Sequence, residues 1–409
     1  METYAAILLW VIPGFLILVL FEIIYGHYIK KQTYTLMDTI SSLSSGITNI
    51  LKDSMGIILI IISYPILERE IALFELETSL TLYVLAFICI DFASYWSHRL
   101  NHKINVFWNQ HIIHHSSEEF NLACALRQSI SNIIGYNALF LIPAAIIGVP
   151  PEIIIFLSPI HLFGQFWYHT QHIGKLGFLE YIFVTPSQHR VHHAINPIYI
   201  DKNLSAIFCV WDRIFGTFQE ELDDVKPIYG TLKPVQTWNP IIINFQHFFR
   251  LAKDSWYTKK FSDKIRVWFM PTGWRPKDVE NIFVYKTQSK KQKKYYPNYN
   301  NSEKLIGIFH FISVNIILTY FLYSFSNLES NIKLIYTLII FLSVFGYTSL
   351  MDNYSWANLF EVFRCLFSLY LLSFLGELTL FKLFLYCYLL TSIAVSLFII
   401  IRTKNFLNK

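Results

Sequence analysis

The chain has 409 residues, of which 54% are hydrophobic, 17% aromatic and only 15% charged. This composition is too apolar for an ordinary soluble protein and indicates an integral membrane protein with several membrane-spanning helices. The net charge of +5 is modest, so we expect no nucleic-acid binding. The five cysteines show no CxxC spacing, which argues against a zinc ribbon or a disulfide framework.

Apolar stretches long enough to cross a membrane flank a polar middle region. A bilayer core of about 30 Å requires about 20 helical residues. On this basis we predict nine spans, at residues 4–28, 43–67, 80–96, 130–149, 152–168, 305–325, 332–349, 359–375 and 378–401. The first lacks a basic start and a small-residue cleavage site, so we expect it to be retained. Pro150 and Pro151 separate the fourth and fifth spans and predict a tight hairpin between them.

The charges of the loops predict how these spans are oriented. Lys30 and Lys31 follow the first span, whereas the next loop carries four glutamates and a single arginine between residues 68 and 77. Because positively charged loops remain in the cytoplasm, the first loop is predicted to be cytoplasmic and the second is not. With nine spans, every histidine cluster described below is then on the cytoplasmic side.

Eleven of the fourteen histidines lie in one segment between His98 and His193. Residues three and four apart share one face of a helix, so a group with that spacing can direct its imidazoles toward a common point. A closed structural zinc site needs only four ligands, so the number of candidates favours two metal ions. His161 stands alone within a predicted span and is interpreted as a packing or channel residue instead of a ligand. The predicted ligands are His98, His102, His111, His114, His115, His169, His172, His189, His192 and His193.

Acidic residues near these groups are further candidates for the site. We interpret Asp91 as an acceptor that orients an imidazole ring of its own helix, and an ion pair with a distant basic residue is the alternative. Glu118 and Glu119 could be metal ligands, acceptors for a ligand or solvated residues, and spacing alone leaves these alternatives open. Four residues beyond the last cluster could close the site from outside: Asn196, Asp201, Asn203 and Asp212.

The ligand type also predicts the chemistry. A site of many neutral imidazoles stays cationic when it holds two metal ions, which favours binding of anionic species derived from dioxygen. Iron with open coordination positions activates dioxygen, whereas zinc has no redox chemistry. A site at the membrane favours a lipid substrate, because the acyl chain can remain in hydrocarbon while the reactive carbon reaches the metals. A metal transporter or a structural metal site in a membrane scaffold is the alternative from another class.

The histidine groups and their neighbours resemble the membrane fatty acid hydroxylase and sterol desaturase superfamily, which is non-haem di-iron. The resemblance covers roughly residues 80–220. Gln188 departs from it, since relatives commonly have a further histidine at that position. The resemblance implies that His169 and His172 are additional ligands. The segments that carry it are Asp91-Phe-Ala-Ser-Tyr-Trp-Ser-His98-Arg, Pro186-Ser-Gln-His189-Arg-Val-His-His193 and Trp211-Asp-Arg-Ile-Phe-Gly-Thr217.

Within that superfamily, two further segments are most similar to the alkylglycerol monooxygenases: His114-His-Ser-Ser-Glu-Glu-Phe-Asn-Leu122 and Ala125-Leu-Arg-Gln-Ser129. This resemblance implies hydroxylation of the carbon next to the ether oxygen of an alkylglycerol, after which a fatty aldehyde is released. It implies tetrahydrobiopterin as electron donor, with a redox protein as the alternative, although nothing in the sequence marks a pterin site. Hydroxylation or desaturation of a sterol, a fatty acyl chain or a carotenoid is the alternative within the superfamily.

Together these observations predict an all-α integral membrane protein, a multi-pass helical bundle with a histidine-rich di-metal site on its cytoplasmic side. The predicted partners are a lipid substrate, O2, membrane lipids and an electron donor. Both a bacterial cytoplasmic membrane and the endoplasmic reticulum fit the orientation. We divide the chain into N-terminal spans (1–79), a catalytic domain (80–220), a cytoplasmic surface region ending in a basic linker at 286–294 (221–302), and C-terminal spans (303–409).

Overall fold

The computed structural model of the protein describes residues 2–60, 62–285, 287, 293–297, 301–376 and 379–407, so most of the predicted basic linker lies outside it. The chain is mostly helical, as predicted. The first ten helices are α1 (Glu2–Tyr28), α2 (Leu36–Ser54), α3 (Tyr64–Ile71), α4 (Leu80–Lys103), α5 (Asn105–Trp108), α6 (Ile112–His115), α7 (Ile142–Ile147), α8 (Pro151–Phe163), α9 (Pro186–His192) and α10 (Val210–Ile214). The later ones are α11 (Pro240–Tyr257), α12 (Phe261–Phe269), α13 (Lys277–Glu280), α14 (Asn301–Ser324), α15 (Ser330–Met351), α16 (Ala357–Leu372) and α17 (Leu380–Leu407). Two short strands, β1 (Leu59–Ile60) and β2 (Ile134–Gly135), pair in parallel.

Within the described residues, five helical segments are long and apolar enough to cross a membrane. They match the first, third, sixth, seventh and ninth predicted spans, so the protein is an integral membrane protein with several spans. The predicted number of nine is not confirmed. The five segments are Ala5–Tyr28, Leu80–Lys103, Asn301–Asn327, Ser330–Met351 and Leu380–Arg402.

The predicted second span, residues 43–67, is two separate helices in the structure. Helix α2 ends at Ser54, and Gly56 follows with a left-handed φ of 64°. Helix α3 then begins at Tyr64 with Pro65 in its first turn. Glycine in the left-handed region ends a helix at little cost, and proline favours the start of the next one. The apolar run from residue 43 to residue 67 is therefore interrupted between α2 and α3. The mean hydropathy of the run alone does not reveal this interruption.

The predicted fourth and fifth spans correspond to two short helices separated by a turn at Gly148 to Pro150. Helix α7 has 6 residues and α8 has 13, fewer than the roughly 20 that cross a bilayer. The turn begins at Gly148, whose φ is 80°. A side chain there would place its Cβ 1.9 Å from the carbonyl oxygen of Phe74, so the turn requires glycine. Both helices pack against α4 through one apolar cluster that includes Ala86, Ala145 and Ile153.

Helix α2 is a buried polar helix that joins the histidine-rich segment to the C-terminal helices. One of its faces carries Ser44, whose hydroxyl bonds the phenol of Tyr347 on α15. Another carries Asp38, which forms an ion pair of 2.7 Å with the buried Arg127. The apolar side of α2 joins the largest core cluster, which is built mainly from α14, α15, α16 and α17. The C-terminal bundle therefore supports the segment that contains the histidines.

Helices α11 and α12 have large apolar side chains exposed. Asn239 caps α11 by accepting hydrogen bonds from the amides of Ile241 and Ile242. Exposed apolar side chains on a polar helix pair are typical of helices that lie at a membrane surface. The exposed side chains are Phe248, Phe249, Trp256, Tyr257, Phe261, Ile265 and Phe269.

Candidate metal centre

Five imidazoles form the first of two histidine groups. They are His98 and His102 from the last turns of α4, His111 and His115 around α6, and His192 from α9. One ligand nitrogen from each lies within 4.8 Å of all the others. The Nε2 atom of His111 is 2.9 Å from that of His98 and 3.0 Å from that of His115. Such convergence of ring nitrogens is the geometry of a metal site.

Four imidazoles form the second group: His114, His169, His189 and His193. The Nε2 atom of His189 is 2.9 Å from that of His169 and 3.0 Å from that of His193. His114 completes the group, with 3.4 Å between its Nε2 and that of His169. The two groups adjoin, because the rings of His115 and His193 stack at a centroid distance of 4.4 Å. Nine of the ten predicted ligands therefore lie in two neighbouring groups.

The spacing of each histidine triplet explains how it serves both groups. His111 and His115 are four residues apart and face the first group, while His114, three residues after His111, faces the second. The triplet on α9 does the reverse, with His189 and His193 in the second group and His192 in the first. A helix turns by about 100° per residue, so positions i and i+4 point one way and i+3 diverges from them. One short helix can thus bind two neighbouring ions.

The tautomers of the imidazoles indicate that both groups fit metal ions. The Nδ1 atom of His98 donates to the carbonyl of Leu204 at 2.7 Å, and that of His192 donates to the carbonyl of Lys202 at 3.0 Å. Nδ1 of His169 likewise donates to the carbonyl of Gln165 at 3.0 Å. A neutral imidazole that donates from Nδ1 carries a lone pair on Nε2. His98 and His192 in the first group and His169 in the second therefore each present a free lone pair from Nε2, which is what a metal ligand requires.

Buried atoms without a partner support the same conclusion. The Nε2 atoms of His102 and His192 are buried and have no hydrogen-bond partner among the described residues. An unpaired buried nitrogen is costly, and a bound ion would satisfy it. The structure therefore brings together the residues that would hold two metal ions, and protein oxygens fix the outer nitrogens of His98, His102, His169 and His192.

A loop between Asp201 and Thr217 supplies several of those oxygens. Asp201 accepts from Nδ1 of His102 at 3.3 Å and forms an ion pair of 2.7 Å with Lys103. Both Asp201 and Asn203 have left-handed φ values, 56° and 52°. The carboxylate of Asp212 accepts from the amides of Leu204 and Ser205, which fixes the carbonyl that His98 uses. The predicted outer residues Asp201, Asn203 and Asp212 thus build the wall of the site.

Asp91 has a different partner from the one predicted. It accepts from Nε2 of His161 at 2.7 Å, and also from the amides of Ile207 and Phe208 and the indole of Trp211. These bonds anchor the loop described above to α4. Asp91 therefore orients no ring of its own helix, because its carboxylate is fully used by α8 and by the loop.

Three other predicted residues lie apart from the two groups. His172 packs edge-on against Tyr25 at the end of α1, with 5.3 Å between the ring centroids. Glu118 accepts from the amide of Tyr295 at 2.5 Å, and Glu119 forms an ion pair of 2.6 Å with Lys294. Burial raises the pKa of both glutamates. The structure thus tethers them to the segment that precedes α14.

Comparison with known proteins places this geometry in a family. The fatty acid hydroxylase family matches residues 83–217, which contain both histidine groups. Alkylglycerol monooxygenase of Homo sapiens is 34% identical over 369 residues, 88% of this chain and 81% of the relative. The chain belongs to the alkylglycerol monooxygenase family. The enzyme of Danio rerio that has this name is 37% identical over 64% of this chain and 59% of the relative. Ornithine lipid hydroxylase OlsE of Rhizobium tropici is 28% identical over 33% of this chain and 41% of the relative. No solved structure shows a significant match.

Two residues that hold the histidine groups of this protein in place, Glu22 and Arg127, were not predicted from the sequence. Glu22, inside α1, accepts from the hydroxyl of Thr170 at 2.5 Å and from the amide of Leu122 at 2.8 Å. Arg127 donates to Ser116, next to His115, at 2.7 Å. A carboxylate within an apolar span is the signal that could have identified Glu22. Arg127 lies in one of the segments that carried the resemblance, but no spacing rule indicated its contacts.

Burial of the histidines predicts how the stability of the metal-free protein depends on pH. Burial lowers the pKa of His169 to about 3, and burial with neighbouring imidazoles also lowers the pKa of His189 and His193. Between about pH 3 and the free value of about 6.5, the unfolded chain therefore binds more protons than the folded one. We expect the unfolding midpoint of metal-free protein to be constant above about pH 7.5 and to fall steadily below about pH 6.5. Thermal unfolding in detergent across this range measures it, and a midpoint that rises on acidification would contradict the burial of these groups.

Proposed function

We propose that this protein is a membrane di-iron monooxygenase that hydroxylates the ether-adjacent carbon of alkylglycerols. The observation that supports it best is the set of nine imidazoles in two adjoining groups, within a chain similar to alkylglycerol monooxygenases over most of its length. In the proposed reaction, O2 and two reducing equivalents convert the ether CH2 to a hemiacetal CH(OH) and water. The hemiacetal then breaks its C–O bond to give a fatty aldehyde and a glycerol.

Iron would supply the oxygen activation, and the protein residues have separate tasks. The carbonyls of Leu204, Lys202 and Gln165 hold the imidazoles in the tautomer that leaves Nε2 free. The buried surroundings of both groups exclude water, which protects a reactive oxidant from quenching. The site lies where α4, a membrane-spanning helix, ends, so a lipid can present its head while its chain stays in the membrane.

We further propose that the site faces the cytoplasm. The end of α1 lies beside the histidine groups, since Glu22 bonds Thr170, the neighbour of His169. The end of α4 carries His98 and His102 themselves. Lys30 and Lys31 follow α1 directly, and positively charged loops remain in the cytoplasm. The same orientation holds in a bacterial cytoplasmic membrane and in the endoplasmic reticulum.

The test is fatty aldehyde release from an alkylglycerol by membranes that contain the protein, with and without tetrahydrobiopterin. The pterin is proposed as electron donor because of the family resemblance. If aldehyde forms only after a reductase is added, the electron donor is a redox protein instead of the pterin. Aldehyde that requires both O2 and the pterin supports the proposal. An iron-loaded preparation that releases none contradicts the ether-lipid substrate.

The likeness to an ornithine lipid hydroxylase favours a second candidate, hydroxylation of a membrane lipid that has no ether bond. That similarity covers only 33% of this chain, so it supports the oxygen chemistry more than the substrate. A hydroxylated lipid without an ether bond, found by mass spectrometry after incubation with a membrane lipid extract, would favour this candidate over the first.

We propose that the alkyl chain lies in an apolar crevice between α1, α2 and α14. The crevice has a volume of about 160 Å³ and is lined by Val11 and Phe15 of α1, by Ile47 of α2, and by Leu126 and Leu318. Its lining residue Phe15 packs against Phe166, with 4.5 Å between the ring centroids, and the carbonyl of Phe166 lies 3.3 Å from Nδ1 of His169, so only these side chains separate the crevice from the second histidine group. A chain entering from the membrane would therefore point its head toward the metals.

A bulky side chain placed in this crevice should lower activity more for alkylglycerols with long alkyl chains than for those with short ones. We expect Val11→Trp to lower kcat/KM for a hexadecylglycerol by about tenfold, because overpacking a filled site costs about 1–3 kcal/mol. The loss for an octylglycerol should be smaller, because a shorter chain reaches less of the crevice. Ile17→Trp is the matched control, since Ile17 lies on the same helix and is 64% exposed. Equal losses in both variants, or for both chain lengths, would contradict the placement.

A further inference from the structure

A groove beside α11, lined by none of the clustered histidines, combines an apolar floor with cations that form no ion pair among the described residues. Its volume is about 450 Å³. Ile242, Phe245 and Phe249 of α11 and Phe345 of α15 form the apolar part. These residues take no part in either histidine group or in the crevice proposed for the alkyl chain. The groove is therefore a separate feature of the molecule.

Cations gather around Tyr285 at one end of this groove: Arg250 lines the groove, and Lys233 lies over the same ring just outside the lining residues. Arg250 and Lys233 both lie over the ring of Tyr285, with cation-to-centroid distances of 5.0 and 5.6 Å. Arg275 lies over the same ring but is paired with Asp254 at 2.6 Å. Among the described residues, no carboxylate oxygen lies within ion-pair distance of Arg250 or Lys233. Burial and the neighbouring cations lower the pKa of Lys233. An anion at this point would relieve that repulsion.

The two ends of the groove are spaced like the head and the chain of a lipid. Arg250 lies eight residues beyond Ile242, about 12 Å along the helix at 1.5 Å per residue. Phe345 lies six residues before the end of the membrane-spanning α15, about 9 Å inside that end. The apolar end therefore reaches membrane depth while the cations stay at the surface. Gln246 adds a buried side-chain oxygen without a partner in the described structure, which could accept from a lipid hydroxyl.

We propose that this groove binds one anionic phospholipid, with its phosphate at Arg250 and Lys233 and an acyl chain along Ile242 toward Phe345. The exposed aromatic residues Trp256 and Tyr257 of the same helix fit this setting, because such side chains concentrate at membrane interfaces.

The experiment is native mass spectrometry of the full-length protein from micelles that contain phosphatidylcholine and a smaller share of phosphatidylglycerol. The wild type should retain phosphatidylglycerol in preference to phosphatidylcholine. In a Lys233→Gln/Arg250→Gln variant this preference should fall by about 25-fold, about fivefold for each cation near an anionic head group. A Lys259→Gln/Lys260→Gln variant removes the same charge from exposed positions of the same surface and should keep the preference. An equal fall in both variants, or no preference in the wild type, would overturn the proposal.

Two further arms separate the lipid from a free phosphate and from misfolding. Ile242→Trp leaves every charge in place and should reduce lipid retention by filling the groove, with an unchanged unfolding midpoint. Excess glycerol phosphate, the soluble head group, should fail to displace the lipid. If Ile242→Trp retains as much lipid as the wild type, or if glycerol phosphate displaces the lipid, the acyl chain does not bind in the groove. Aldehyde release by Lys233→Gln/Arg250→Gln, measured in parallel, shows that this variant is folded.

Discussion

Replacing His193 with alanine should abolish aldehyde release and remove one of the two metal ions. His193 belongs to the second group, where its Nε2 lies 3.0 Å from that of His189. The first group contains none of the second group's four residues, so its ion should remain. Loss of a partner that only supports a ligand costs about 10–100-fold, so loss of a ligand should cost more than about 100-fold. Aldehyde assays and elemental analysis of purified protein measure both effects.

His172→Ala is the matched control for this experiment. It removes an imidazole from the same segment of the chain, but one that contacts Tyr25 instead of a histidine group. We expect it to keep two metal ions and most of the activity. The control also tests the resemblance-based expectation that His172 is a ligand, because loss of an ion from His172→Ala would mean that the ring moves into the site. Equal loss of activity in both variants with metal retained would mean that these histidines act through folding.

The histidines show how far a sequence can predict a site of this kind. The spacing of His111, His114 and His115 predicts ligation at one common point, whereas the structure divides this triplet between two groups. The partners of the outer nitrogens could not be predicted. The acceptor for His98 is the carbonyl of Leu204, more than a hundred residues later, and a backbone atom leaves no mark in the sequence. Only the folded loop brings that carbonyl to the site.

The membrane helices were likewise predicted only in part from the sequence. Long uninterrupted apolar runs such as α15 and α17 are predicted well, because length and hydropathy alone decide them. Helix α2 is different, since its buried face is polar and its partners, such as Tyr347, lie far along the chain. Hydropathy averaged over a window of residues does not separate α2 from the apolar residues after Gly56, so the two were predicted as one span. Tertiary contacts, which such a window does not include, determine that α2 is a buried connecting helix.

Asp91→Asn should destabilise the protein by about 3 kcal/mol, because a buried hydrogen-bond donor left without its acceptor costs about 1–3 kcal/mol, and more where the lost acceptor is charged. Asp91 is completely buried, and its two oxygens accept from His161, Ile207, Phe208 and Trp211. An amide has one oxygen in place of two, so its NH2 group must face N–H donors in either orientation. At least one of the four bonds is then replaced by a repulsive donor pair, and the negative charge is lost. The loop that fixes His98 through Leu204 should loosen, so metal content should fall together with the unfolding midpoint.

Asp201→Asn is the control that separates this effect from a general sensitivity of the site to charge. Asp201 also bonds a histidine, but its side chain is 29% exposed and its ion-pair partner Lys103 is 49% exposed. Exposed ion pairs contribute at most about 1 kcal/mol, and the asparagine oxygen can still accept from His102. Thermal unfolding in detergent should therefore give a clearly lower midpoint for Asp91→Asn than for Asp201→Asn. Similar midpoints would mean that the bonds of Asp91 do not hold the loop, and the positioning of His98 would then depend on the short bonds of Asp212 alone.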